Sequence, residues 1–166
     1  MPRTPRAALP ARLQATLELV PHGITSVADI GSGHGALAAA LAGRGVHVVA
    51  TERTSGSFAS LRHDLCHLGY AGQIDLRLGD GLAALRPGEV EVVVIAGLGG
   101  RSVMRILGRA AWLPPRLVLQ PMQDAHLLGA WLAARGWAFE ERRMVQGRRW
   151  YLGWLVDVPA ADRAVN

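Results

Sequence analysis

The sequence predicts an α/β domain: a mostly parallel seven-stranded sheet with an antiparallel final strand and helices on both faces. Three observations carry this reading. A glycine-rich turn, Asp29-Ile30-Gly31-Ser32-Gly33-His34-Gly35, joins a short apolar run to an Ala/Leu-rich stretch. Five strand-like apolar runs alternate with segments of helical period between residues 26 and 136. Two more strand-like runs, Trp137 to Val145 and Arg149 to Val158, meet at Gln146-Gly147, a hairpin signal that closes the order. No internal repeat or low-complexity segment interrupts residues 1–166, which read as one domain long enough to bury a core.

Leu9, Leu13, Leu17 and Val20 recur at helical spacing, so residues 9–20 predict an amphipathic helix that Pro21 and Gly23 end. Ser26-Val27-Ala28 is the first strand, and the glycine turn follows it. Ala36 to Ala42 is the next helix, stopped by Gly43 and Gly45. Val46 to Thr51 is a β-branched second strand that reaches Glu52. Phe58, Leu61, Leu65 and Leu68 mark a helix closed by Gly69, with Cys66 and His67 as packing and surface residues. Ile74, Leu76 and Leu78 alternate as the third strand, which runs into Gly79-Asp80-Gly81-Leu82. Val92 to Ile95 lacks polar alternation, as a central strand covered on both faces does, and it leaves through Ala96-Gly97-Leu98-Gly99-Gly100. The next helix carries Arg101, Arg105 and Arg109, spaced by four and so on one face. Arg116 to Gln120 is the fifth strand, halted by Pro121, and Leu127, Leu128, Trp131 and Leu132 bury one side of a helix ended by Gly136. The tail, residues 159–166, is expected to fray.

Bulk composition narrows the function. Half of the residues are hydrophobic, yet no apolar stretch approaches the ~18–20 residues of a membrane span, so no membrane partner is expected. Arg3, Arg6 and three prolines by position 10 leave no apolar core for a signal peptide. The single Cys66 excludes an internal disulfide and makes a reducing, cytoplasmic setting the expectation. All eighteen basic residues are arginine, a bias that GC-rich coding would also produce. A formal net charge of +5 favours an anionic partner, nucleic acid before membrane; a solvated basic surface is the plainer alternative. No His/Cys cluster has metal-ligand spacing, so no metal is expected.

The strand ends carry the chemistry. Glycines in the first turn permit positive φ and close approach to a ligand, and a helix start beyond them suits an anionic group. Asp29, two residues before Gly31, suits an ammonium or hydroxyl. The pattern acid-x-Gly-x-Gly-x-Gly resembles the turn of Rossmann-like S-adenosyl-L-methionine (AdoMet) methyltransferases. Read from Gly31, it also fits the dinucleotide form Gly-x-Gly-x-x-Ala, ending at Ala36. Glu52 ends the second strand twenty-one residues after Gly31, where an acid can accept from both ribose hydroxyls; a surface carboxylate paired with Arg53 is the bland reading. Asp80 can accept from the exocyclic amine of an adenine while Leu82 packs on the ring, although a plain turn explains Asp-Gly too. The cofactor set is then Asp29, Gly31, Ser32, Gly33, Gly35, Glu52, Arg53, Asp80, Gly81, Leu82, Ala96, Gly97 and Leu98. An antiparallel last strand favours the methyltransferase arrangement, because a dinucleotide fold would end on another βα unit.

From Arg12-Leu13-Gln14 to about Val158 the sequence resembles the bacterial tRNA (adenine-22-N1) methyltransferases. The matching segments are Arg12 to Pro21, Asp29-Ile30-Gly31-Ser32 with His34, Glu52 with Gly56 to Phe58, Gly79 to Leu82, Ile95 to Gly100, and Leu119-Gln120-Pro121. The Ala-Gly-Leu-Gly-Gly exit is the most specific, since most adenine-modifying enzymes place a polar Asn/Asp-Pro-Pro motif there. The resemblance implies AdoMet as cofactor, tRNA as partner and methyl transfer to adenine N1. N1 brings its own lone pair, so an open, neutral pocket edge at Ala96 to Gly100 is compatible with that chemistry. Gln120, bonding the acceptor base edge, and His34, lining the pocket or accepting a product proton, are the catalytic candidates. Arg101, Arg105, Arg109, Arg148 and Arg149 are the candidate RNA contacts, with Arg142 and Arg143 and the stacking rings Trp150 and Tyr151 beside the hairpin. The sequence departs from the family at Gly33, usually Asp, at Ala36 and Ala38, usually Tyr and Pro, and at Met122, usually Asn. Typical members continue into a C-terminal coiled coil, and here the sequence stops at Asn166. An AdoMet enzyme for a small molecule, and a non-catalytic AdoMet- or RNA-binding module, are the competing expectations.

Overall fold

Apolar runs between glycine stops build the elements. The computed structural model describes residues 8–163, so the N-terminal reading on Arg3 and Arg6 and the last three residues of the tail lie outside the described residues. In chain order the elements are α1 (Ala11–Leu19), β1 (Ser26–Ile30), α2 (Ala36–Ala42), β2 (His47–Glu52), α3 (Ser55–His67) and β3 (Asp75–Leu78). A turn of 3-10 helix (Gly81–Ala84) precedes β4 (Val92–Ala96), α4 (Gly100–Gly108), β5 (Arg116–Gln120) and α5 (Ala125–Ala134). The hairpin strands β6 (Ala138–Gln146) and β7 (Arg149–Asp157) and a short α6 (Ala160–Arg163) complete them.

The strands form one seven-stranded sheet in the order β3-β2-β1-β4-β5-β7-β6. β1 to β5 run parallel. β7 lies between β5 and β6, antiparallel to both. The order reverses between β1 and β4, and such a switch point opens a crevice beyond the carboxyl ends of the strands. Within β4, Val92 and Val94 enter one apolar layer while Val93 and Ile95 enter the other. Period two therefore hides every residue of a strand covered on both faces, which is why β4 shows no polar alternation. One layer takes Leu17, Leu37, Leu61 and Leu65 from α1, α2 and α3, and the other takes Val103, Leu107, Leu128 and Leu132 from α4 and α5.

Four sequence expectations change. β1 continues through Asp29 to Ile30, so the acid belongs to the buried strand rather than to the turn. Leu68 and Leu78, expected in the core, are 47% and 53% exposed, because α3 ends at His67 and β3 is a four-residue edge strand. α3 starts at Ser55, with Thr54 as its cap accepting from the Ser57 N–H at 3.2 Å. The tail does not simply fray: Arg163 O accepts from the Leu113 N–H at 3.0 Å and Asp162 accepts from Trp137 Nε1 at 2.7 Å.

α1 is held to the hairpin at both ends. The Arg12 N–H, unpaired within the first turn of the helix, donates to Gln146 Oε1 at 3.1 Å, and Glu18 lies 3.5 Å from Arg142. Thr16, fully buried, donates to Arg12 O at 2.8 Å and reaches Met144 Sδ at 3.8 Å.

Beside β3, Arg77 bonds Glu89 through both terminal nitrogens at 2.8 and 2.5 Å and Asp75 at 2.6 Å. The Arg77 hydrogen bonds hold the Glu89 carboxyl down at about 2. A depressed acid contributes stability that is present above its unfolded pKa and lost as pH falls through the folded one. Urea titrations should show Glu89→Gln less stable than wild type by roughly 1–3 kcal/mol at pH 7. That difference should shrink as pH falls from about 4.5 towards 2, and a constant difference would assign it to packing.

Candidate active site

The glycine turn is built around a buried acid. Asp29 is 3% exposed at the end of β1, and Ser32 Oγ donates to its Oδ2 at 2.7 Å. Burial pushes its carboxyl up to about 6, the Ser32 bond opposes this, and the nearby Glu52 charge adds to it. The Gly31 and Ser32 N–H groups both donate to Thr51 O, at 3.0 and 3.1 Å, which ties the turn to β2. The Gly33 N–H donates to Glu52 Oε1 at 2.6 Å, so the chain's own carboxylate occupies the turn donor expected to face an anion. Gly33 has φ 60° with open space around it, which suits a residue that lines a cleft. Gly35 is different. A Cβ there would meet Leu65 at 2.7 Å, so this glycine serves close packing of the turn on α3 and is not part of the cleft wall.

Adjoining cavities run along the carboxyl ends of the strands. One of about 750 Å³ is lined by Asp29, Gly31, Ser32, Gly33, His34, Glu52 and Ala96 to Leu98, and also by Pro10, Arg12 and Leu13 of the α1 region. A second, of about 250 Å³, shares Gly31, Glu52 and Leu98 with it and adds Arg53, Asp80 and Gly81. A third, of about 420 Å³, shares Asp80, Gly81 and Arg105 with the second and adds Leu82 and Arg109. The structure thus brings together every expected cofactor residue except Gly35. Leu82 is 2% exposed and lines only the third cavity.

The two catalytic candidates fall in contrasting places. His34 is exposed at the rim of the large cavity, where its Nδ1 pairs with Asp64 Oδ2 at 2.7 Å. The His34 and His63 hydrogen bonds hold the Asp64 carboxyl below its usual range. Gln120 is fully buried with both amide ends engaged: Oε1 accepts from Arg12 Nη1 and from the Gly97 N–H at 3.3 Å, and Nε2 donates to Pro121 O at 2.8 Å. Both ends of the Gln120 amide are thus taken up by Arg12, Gly97 and Pro121, and none of the three cavities is lined by it. Met122 is 40% exposed, with its sulfur 4.0 Å from Gln120 Nε2.

The expected RNA contacts divide in the same way. Arg101 lies 3.4 Å from Asp124, while Arg105 and Arg109 line the cavity beside Asp80 rather than a separate face. Arg148 and Arg149 are exposed at the hairpin tip, and the Arg143 guanidinium sits 5.0 Å from the centre of the Trp150 ring, itself 61% exposed. Tyr151 turns the other way, 5.9 Å from the Arg12 guanidinium. Sequence reasoning missed Arg12 and Asp64 as site residues. Arg12 had a signal in the Arg-Leu-Gln start of the first helix; Asp64, thirty residues from His34, had none. Among the described residues no group of three or more His, Cys, Asp or Glu is placed to hold a metal ion, and no helix is long and apolar enough to cross a membrane.

Asp29 burial has a measurable cost. An acid whose folded pKa is raised loses stability as pH rises from its unfolded value to its folded one. Asp29→Asn keeps an oxygen for Ser32, so it should stabilise the free protein by about 1–3 kcal/mol at pH 7–8. The gain should build between about pH 4 and 6 and vanish below pH 4 in thermal or urea melts; a gain independent of pH would contradict the burial argument.

Comparison with known proteins places the chain. The methyltransferase domain family matches residues 9–152. The chain is 36% identical over 129 residues to the Bacillus subtilis tRNA (adenine(22)-N(1))-methyltransferase, covering 75% of this chain and 54% of that protein. It therefore spans about half the length of this curated relative. The crystal structure of the B. subtilis m1A22 tRNA methyltransferase TrmK superposes with a TM-score of 0.81 at 30% identity, over 93% of this chain and 68% of that one. The Streptococcus pneumoniae protein Sp1610, solved in complex with S-adenosyl-L-methionine, superposes with a TM-score of 0.79 at 30% identity, over 93% and 78% of the two chains. With a Rossmann-like sheet, a glycine turn on a buried acid and this degree of identity, the chain belongs to the methyltransferase domain family, within the tRNA (adenine-22-N1) methyltransferases.

Proposed function

We propose that the chain is an AdoMet-dependent methyltransferase that methylates N1 of a tRNA adenine in the cytoplasm. The observation that carries the proposal is the series Asp29, Glu52 and Asp80 at the ends of the neighbouring strands β1 and β2 and just beyond β3, along adjoining cavities. The residues fit the cofactor: Asp29 is a buried carboxyl with no ion-pair partner among the described residues, suited to an ammonium. Glu52 opens on both cavities and suits a ribose diol, and Asp80 beside the apolar Leu82 and Ile106 suits an adenine. The B. subtilis relative acts on tRNA adenine-22, and the Sp1610 structure holds AdoMet.

When bound, AdoMet supplies a methyl group already activated by its sulfonium. The chain's own residues orient and enclose. Ala96, Gly97 and Leu98 present no side-chain acid or base, and adenine N1 attacks with its own lone pair, so no group must take a proton first. Positioning is then the main contribution, and such positioning can lower a barrier by roughly 7–11 kcal/mol. His34, oriented by Asp64 through Nδ1, keeps Nε2 for a proton released by the product. Arg105, Arg109, Arg148 and Arg149 with Trp150 supply phosphate and stacking contacts for the tRNA. The hairpin suits this role, because β7 pairs with β5 only as far as Trp154 against Leu119, leaving Arg149 to Gly153 beyond the carboxyl edge of the sheet.

The deciding experiment is incorporation of labelled methyl from AdoMet into tRNA that lacks its modifications, with the modified base mapped. N1-methyladenine is the expected product. Binding of S-adenosylhomocysteine without any transfer to tRNA would leave the binding-module reading, and transfer to a small molecule alone would redirect the substrate. In calorimetry, Glu52→Ala should weaken S-adenosylhomocysteine by ~1–3 kcal/mol through loss of charge-assisted bonds to the ribose. Transfer RNA affinity should fall steeply with salt, and a salt-independent affinity would return the arginines to a solvated surface.

A further inference from the structure

The sheet ends in two edges of unequal length. β3 forms one with four residues, and β6 forms the other with nine. Among the described residues no other backbone hydrogen-bonds to the outer edge of β6, so the outward N–H and C=O groups are open to another strand. Bulges, proline and charged side chains guard such edges against strand addition. β6 has no proline, and it pairs with β7 without a bulge from Ala138 to Gln146. Its charges are ordered so that they attract a second copy of the same strand.

Side chains alternate between the faces, and Met144 packs under α1 beside Thr16. Phe139, Glu141, Arg143 and Val145 therefore share the opposite face, and all four are exposed, Phe139 by 37% and Val145 by 61%. The order is apolar, acidic, basic, apolar. An antiparallel copy related by a two-fold axis at Arg142 sets Phe139 against Val145 and Glu141 against Arg143, each contact made twice. Opposed residues must share a face, so the axis passes through a residue position and not between two. An axis at Glu141 would set two acids together and Phe139 against Arg143. An axis at Arg143 would set two arginines together and Glu141 against Val145. Only the register at Arg142 satisfies the whole face.

On the other face Arg142 meets its own copy, but that charge is already answered by Glu18 at 3.5 Å and Glu140 at 4.0 Å. Three of the four pairing side chains are held before any contact forms. Glu141 accepts from Trp154 Nε1 at 2.9 Å, the Phe139 ring lies edge-on to Trp154, and the Arg143 guanidinium sits 5.0 Å from the Trp150 ring centre. Side chains so placed lose little freedom on association. α1 leaves the approach clear, since it spans from Gln120 on β5 to Met144 on β6 and sits inboard of the edge.

We propose that β6 is an interface for a second copy of this chain, joined by antiparallel β6–β6 pairing about Arg142 so that one sheet runs through both copies. β6 runs in the direction of β5, so the two-fold turns the second cleft to the opposite end of the joined sheet. The hairpin tips with Arg148 lie outside the paired stretch, and each cleft keeps its own approach. One strand pair buries little surface, so the association is weak and depends on concentration.

Sedimentation velocity on the full, nuclease-treated chain tests this. Between about 10 μM and about 1 mM the mean mass should rise from one chain towards two. Arg143→Glu and Glu141→Arg each oppose like charges, and each should raise the dissociation constant at least ~10-fold. An equimolar mixture of the two single variants pairs acid with base again and should associate within about three-fold of wild type, as should the double variant. Wild type that stays monomeric throughout would overturn the proposal, as would association lost on nuclease treatment. Single variants that associate as wild type does would place the contact elsewhere and overturn it too. Failure of both the mixture and the double variant to recover would overturn the Glu141–Arg143 pairing.

Discussion

A carboxyl group almost without access to water stands near the end of β1, and the crevice is arranged around it. Asp29 lies in β1 between β2 and β4, flanked along the sheet by buried strands, and its carboxylate accepts from Ser32 Oγ. Such a group is unfavourable for the free fold and favourable for a cationic ligand. The left-handed glycines Gly31 and Gly33 then follow from it, because the chain must turn sharply over the acid and leave no side chain above it. Glu52 answers from β2, and its bond to the Gly33 N–H links the two strand ends before any ligand arrives.

The other wall of the crevice has a different origin. Strands β1 to β5 supply its floor through their shared direction, but α1 and the β6–β7 hairpin supply its side. Taken by itself, α1 has no side-chain cap and no charge complementary to its dipole in its first or last turn, as is also true of α2 and α5. It is held in place by Leu17, Leu19 and Val20 in the core and by Gln146, Met144 and Arg142 of the hairpin. Position, not propensity, makes it a wall. Gly153 shows how closely the two pack: a Cβ there would fall 2.9 Å from Leu19 Cδ1.

Much of this was legible in the residues. Glu52 and Asp80 could be found because a strand end followed by a turn has a local pattern, and the β-branched runs and the Gln146-Gly147 hairpin have local periods. Gln120 was read from its position at the end of β5 as a contact for the acceptor base; it lies fully buried there, with Arg12, the Gly97 N–H and Pro121 O as its partners, bonds that a strand-end position does not announce. Arg12 reaches Gln120 across 108 residues of sequence and Gln146 across 134, and no local pattern encodes such pairs. Leu78 and the tail failed for a similar reason. An edge strand and a chain end take their burial from neighbours that periodicity does not name, here the position of β3 at the margin and the bonds of α6 to Leu113 and Trp137.

The insertion of β7 between β5 and β6 has a consequence for how the protein is made. On a growing polypeptide β1 to β5 can emerge and pair in order, yet the outer edge of β5 has no partner until Arg149–Asp157 has been synthesised. That edge is apolar and exposed in the meantime, the kind of surface that pairs with a stranger or recruits a chaperone. The first helix waits as well, since its contacts lie on the same late hairpin, and closing so long a loop is slow. A nascent chain therefore carries the glycine turn long before it carries a complete cleft, and binding competence waits for the β6–β7 hairpin.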